Sequence, residues 1–162
     1  MRMESLCRKV AFAFLIGVIL AGGYGLVRAD SEDVVVGVST NKNTYGWGET
    51  VVVTVSVTNT GPSTLYFIFG DSHQAGYTIY QVRGQTLKPV STTYNDIYFP
   101  LVTELTLGPG ATENYVFEWA QTSETSTDIK PATYAIKGYF IGTWTWTEPF
   151  EFDIRGYGYS EH

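Results

Sequence analysis

The chain has 162 residues, a formal net charge of −6 and one cysteine. Four of its ten Lys and Arg residues, but one of its sixteen Asp and Glu residues, precede Asp30. The remainder therefore carries six basic against fifteen acidic residues, near −9. Such a surface repels a phosphate backbone and argues against a nucleic-acid partner. The length suits one domain, and because the single cysteine is Cys7, nothing after it can form an internal disulfide.

The first 29 residues read as a leader. Arg2, Arg8 and Lys9 form a positive start, Val10 to Leu20 is an unbroken apolar run, and Val27-Arg28-Ala29 offers small residues where a signal peptidase cuts. From Val10 to Val27 eighteen uncharged residues run without interruption, the lower limit for a membrane-spanning helix. A cleaved signal peptide and an N-terminal membrane anchor at Val10 to Val27 both fit. Either predicts a hydrophobic leader helix and a secreted or extracytoplasmic domain over residues 30–162.

After residue 30 no window places apolar residues at helical spacing between caps. Short runs of Val, Ile, Thr, Tyr and Phe alternate with Gly, Pro, Asn, Asp and Ser. The first strand is expected over Asp33 to Ser39. The second, Thr50 to Asn59, places Val51, Val53, Val55 and Val57 on one face and Val52, Thr54, Ser56 and Thr58 on the other, the pattern of an antiparallel strand buried on one side. Gly61-Pro62 ends it. Strands follow at Thr64 to Phe69 and Tyr77 to Arg83, then an irregular stretch, Gln85 to Pro100. Leu101 to Leu107, Glu113 to Ala120, Ala132 to Ile141 and Trp144 to Ile154 complete the set. About eight strands at roughly ten-residue spacing predict an all-β, antiparallel, immunoglobulin-like sandwich.

Little here suits catalysis. The histidines are His73 and the terminal His162, and there is no Gly-x-Ser-x-Gly elbow. His73, in Asp71-Ser-His73, reads as a solvated loop histidine. There is no His-x-His, no cysteine pair and no calcium-loop spacing, so no cofactor or metal is expected. The acidic residues Asp30, Glu32 and Asp33 cluster only as a solvated lead into a strand.

The aromatics are the more informative group: twelve Tyr, nine Phe and four Trp. Phe67, Phe69, Phe117 and Phe152 sit at alternating strand positions and read as core. Trp144 and Trp146, in Gly142-Thr-Trp-Thr-Trp-Thr147, are two apart and so are expected to share one face near a hairpin. Tyr94, Ile97, Tyr98 and Phe99 crowd the irregular stretch. Tyr94, Tyr98, Phe99, Trp144 and Trp146 are the candidate partner-binding residues, with Gly70–Gly76, Ser91–Pro100 and Ile141–Thr147 as the candidate loops. The alternative is that these rings simply cover an open end of the sandwich.

Several segments, in order, carry a resemblance. Leu65-Tyr-Phe-Ile-Phe69 is followed by Tyr77-Thr-Ile-Tyr80 and a Gly turn. Leu105-Thr-Leu-Gly-Pro-Gly-Ala111 then leads to Phe117-Glu-Trp119, and Pro131-Ala-Thr-Tyr-Ala-Ile136 closes the set. Over residues 34–154 this resembles the BsuPI family of proteinase inhibitor domains. The resemblance implies an immunoglobulin-like sandwich, no catalysis, and a protein partner, a serine protease. The chain departs from the family at Gln81-Val-Arg83, where a Val-Trp ending is usual, and in carrying a leader although the family is named for an intracellular member. Two other functions fit the residues: a structural or adhesive cell-surface module, and carbohydrate binding through Trp144 and Trp146.

Overall fold

In this computed structural model the structure describes residues 30–31, 33–125 and 127–156. Cys7, the leader and its predicted helix lie outside the described residues. Every regular element among the described residues is a strand.

A first sheet joins β1 (Asp30–Ser31), β2 (Val34–Thr40), β4 (Val51–Asn59) and β9 (Thr112–Trp119) in that order, each pair antiparallel. A second runs β3 (Thr44–Gly46), β12 (Phe150–Arg155), β10 (Ala132–Phe140), β6 (Ala75–Arg83) and β7 (Thr86–Thr92), with β11 (Thr145–Trp146) on the end of β10. The small third sheet pairs β5 (Leu65–Phe69) with β8 (Thr103–Leu107).

Valine alternation produces the first sheet. Burial along β4 alternates without a break from Val51 to Asn59. Val36 and Val38 lie opposite Val57 and Val55, which in turn lie opposite Glu113 and Tyr115. The second sheet turns Tyr134, Ile136, Ile79, Phe152 and Ile154 inward, and these join the β2 and β4 valines in one core. Edge-on rings lock the layers together: Tyr77 meets Phe117 at 5.4 Å between centroids, and Trp119 meets Phe152 at 6.4 Å. Phe67 and Phe69 of the third sheet close one end of the core against Phe140, at 5.1 and 5.9 Å.

The side chain of Asn59 is fully buried and satisfies its surroundings. Its Nδ2 donates to the carbonyls of Ser63 and Leu107, and its Oδ1 accepts from the Gly61 N–H. The Thr58-Asn-Thr-Gly61 strand ending thus ties β4 to β8.

Three differences from the sequence expectation have physical causes. The stretch Gln85 to Pro100 contains β7, hidden by Pro89 and by a register shift opposite Ile79 and Tyr80. Proline is tolerated there because β7 is an edge strand and Pro89 lies at the irregularity. The pairing of β3 with β12 is parallel, not antiparallel, because the chain leaves β2 at Asn41 and crosses to the second sheet. The predicted strand Trp144 to Ile154 is broken into β11 and β12.

The layers approach closely at Gly138 on β10. A Cβ there would lie 3.0 Å from Val38 Cβ and 3.2 Å from Val55 Cγ2. Both neighbours belong to a fully packed core, which resists added volume. Gly138→Ala is therefore expected to lower the unfolding free energy by about 1–3 kcal/mol, read as a fall in the urea midpoint at unchanged slope.

Candidate functional site

All three candidate loops meet at one end of the second sheet. The Ser72 N–H donates to the Phe99 carbonyl at 3.0 Å, and the Phe99 N–H donates back to Ser72 Oγ at 3.0 Å. The Ile141 N–H donates to the Gln74 carbonyl at 2.8 Å. Thr103 Oγ1 donates to the Asp71 carbonyl and accepts from Gln74 Nε2, both at 2.9 Å.

Tyr139 organises this end. It follows Gly138, which faces the core, so it points to the opposite face of its sheet. It is nonetheless 2% exposed. His73, Tyr94 and Trp146 pack around its ring at 5.5, 6.0 and 4.5 Å. Its hydroxyl meets His73 Nε2 at 2.9 Å and Thr93 Oγ1 at 3.0 Å. The His73 and Tyr98 rings stack at 3.8 Å, only 3° from parallel, and the Tyr98 hydroxyl donates to the Thr93 carbonyl at 2.7 Å. Room for this arrangement comes from Gly76, opposite Tyr139 in the ladder: a Cβ there would sit 2.4 Å from the Tyr139 hydroxyl oxygen.

The five candidate residues therefore divide. Tyr98 and Trp146 are built into this second cluster. Phe99 is 79% exposed, Trp144 65%, and Tyr94 about half. Trp144 and Trp146 are both exposed, Trp146 the less so, and they differ in backbone setting. Trp144 takes a positive φ of 52° in the turn, which breaks strand alternation, while Trp146 packs on Tyr139. Sequence reasoning missed Tyr139 and placed His73 in solvent. The signal for Tyr139 was its phase on β10, out of step with inward Tyr134, Ile136 and Phe140. His73 is half-buried because the 70–74 and 93–99 loops fold over it.

Beyond the cluster the loop after β7 is apolar and exposed. Ile97 is wholly exposed, and Leu101 and Val102 are well exposed. Its apex is fastened: the Leu101 N–H reaches back across Pro100 to the Phe99 carbonyl at 2.7 Å, a three-residue turn. Beside it opens a cleft of about 510 Å³ between the 68–73 segment and the 141–144 turn, bordered by Trp144 and Tyr94.

The electrostatics follow from burial. Burial holds His73 below its usual value of 6.5, opposed by the Asp71 and Asp96 carboxylates. Burial also raises Asp96, as does Glu124, with His73 opposing. Tyr77 is pushed up to about 12 by burial and then by Asp96 and Glu124. Tyr139 is driven well above the ordinary tyrosine range, chiefly by burial, so its hydroxyl keeps its proton and remains a donor.

A family model described as BsuPI, intracellular proteinase inhibitor, matches residues 38–143. The chain belongs to that family. An inhibitor family implies a non-catalytic protein with a protein partner. The family's description also corrects the expectation of a secreted or extracytoplasmic domain: it is an intracellular family, which points to the cytoplasm. The apolar run that suggested export lies outside the described residues. No curated protein matches the chain.

Among solved structures the chain is similar to the DNA glycosylase AlkC of Pseudomonas fluorescens, with 17% identity and a TM-score of 0.49 over 76% of this chain and 30% of that one. It is also similar to a β-glucosidase of Erythrobacter marinus, with 15% identity and a TM-score of 0.47 over 75% of this chain and 15% of that one. The sporulation control protein Spo0M of Bacillus subtilis gives 15% identity and 0.43 over 78% and 51%. The chain spans less than two thirds of each of these proteins.

His73 supplies a test of the second cluster. Its neutral form is favoured by folding, so its contribution to stability is complete above 6.5 and is lost as pH falls through the lower folded value. Unfolding free energy should fall on acidification below 6.5, and His73→Phe, which keeps a ring over Tyr98, should flatten that fall. Identical pH profiles for the two proteins would show that His73 is not held neutral by the loops.

Proposed function

We propose that this chain is a proteinase inhibitor built on an immunoglobulin-like sandwich, acting through the end at which its three loops meet. The observation that supports this reading best is the exposed apolar segment 97–102, clamped to the 70–74 loop through both backbone groups of Phe99. A free loop loses conformational entropy on docking, and a loop already held in shape loses less. Ile97, Phe99 and Leu101 offer large apolar side chains that fill the apolar part of a protease substrate cleft. Because Ser72 occupies both the N–H and the carbonyl of Phe99, side chains carry the contact at that position in place of strand addition. The family match supports a protease as the partner, and Tyr94 and Trp144 flank the apex as further contact residues. Tyr98 and Trp146 act by supporting the loop from beneath.

The test is inhibition of a panel of serine proteases by the full chain, with intact-mass analysis after incubation. One protease should be inhibited stoichiometrically by uncleaved protein. Ile97→Ala with Phe99→Ala should weaken that inhibition by roughly tenfold or more, the effect of removing central apolar anchors, at unchanged melting temperature because neither side chain is buried. Equal inhibition by the double variant would move the contact elsewhere on the molecule. Absence of inhibition across the panel would end the protease reading.

A further inference from the structure

The cleft beside the loop apex borders the core at Phe69 and is apolar at Ile68 and Ile141, but rings and a carboxylate also line it. Trp144, Tyr94 and His73 give it ring surfaces, and Asp71 is the carboxylate among its lining residues. Asp71 is half-buried, and its Oδ1 accepts the His73 N–H at 2.7 Å. No lysine or arginine lines the cleft. The ion pairs among the described residues, Lys42 with Glu49 and Arg155 with Asp153, belong to the region where β3 meets β12. The groups that act electrostatically on His73 are Asp71 and Asp96, with Glu124 acting on Asp96. The charged groups that act on His73 are thus carboxylates, and burial favours its neutral form.

We infer that the cleft receives a basic side chain, lysine or arginine, projecting from the protein partner, its cationic head between the Trp144 indole and the Asp71 carboxylate. This rests on the reading of this end as the partner-binding surface. Ring faces attract cations through their quadrupoles, most strongly for tryptophan. A carboxylate in the same cleft adds a charge-assisted hydrogen bond. An apolar side chain in that place would cover Asp71 without compensating it, which is costly. A hard metal ion needs more converging oxygens than one carboxylate supplies. The apolar apex and the acidic cleft together specify a partner surface that pairs an apolar depression with a neighbouring basic residue.

The experiment is an NMR titration of the full chain with Nα-acetyl-arginine amide and Nα-acetyl-lysine amide, with Nα-acetyl-norleucine amide as the uncharged control. The cationic probes should shift the Trp144 and Tyr94 ring signals saturably, and the norleucine probe should not. Asp71→Asn keeps the oxygen that accepts the His73 N–H and removes only the charge. It should weaken cation binding at least tenfold, as should Trp144→Ala. Equal binding of the norleucine probe, or unchanged affinity in Asp71→Asn, would overturn the inference. The titration contains no protease, so its failure leaves the inhibitor reading intact. A failed inhibition panel alongside Asp71-dependent cation binding would remove the protease and keep the cleft.

Discussion

Tyr139 is the residue on which the proposed binding end depends. Alternation along β10 sends it away from the core, because Gly138 before it faces Val38 and Val55. A large ring on the outer face of a sheet is ordinarily wet. Here it is buried, and its hydroxyl requires partners, since an unpaired polar group under cover is costly. Those partners come from the loops themselves: His73 from the segment before β6 and Thr93 from the segment after β7. That hydroxyl joins the two loops, alongside the Ser72–Phe99 hydrogen bonds and the His73–Tyr98 stack, and Gly76 leaves the space it needs.

The molecule thus has two clusters with different tasks. The large one, between the sheets, is made of valines and edge-on aromatics and supplies the stability. The small one, on the far side of the second sheet, is aromatic and polar and adds shape. Stacking of His73 on Tyr98, the Tyr98 bond to the Thr93 carbonyl and the Ser72–Phe99 pair carry that order outward to the exposed segment 97–102. A binding surface gains from such fixing because ordering costs are met in folding rather than at the encounter. Asp71, Asp96 and Glu124 add negative charge at this end.

Much of the fold was legible in the residues, because β4, β9 and β12 alternate apolar and polar side chains strictly enough to fix their buried faces. The candidate loops were legible too, from Gly, Pro and clustered aromatics, although nothing local says that segments seventy residues apart converge; that follows from the ladder joining β6 to β10. What was not legible depended on tertiary context. β7 is irregular in sequence because an edge strand tolerates Pro89. Trp144 and Trp146 look like a strand pair, but Trp144 itself takes a left-handed turn conformation outside β11. His73 looked solvated because its cover comes from Tyr98 and Tyr139, distant in the chain. The leader suggested export, whereas the family to which the chain belongs is an intracellular one.

The most direct test of the account is amide hydrogen exchange at Ser72, Phe99 and Leu101 in the full chain, compared with Tyr139→Ala. The account predicts slow exchange at these loop amides in the wild type. It predicts rates close to those of a free chain in the variant, with the amides of Val55 and Ile136 still protected in both. Free-chain rates at Ser72 and Phe99 in the wild type, or rates unchanged by Tyr139→Ala, would contradict the claim that buried Tyr139 holds this end in shape.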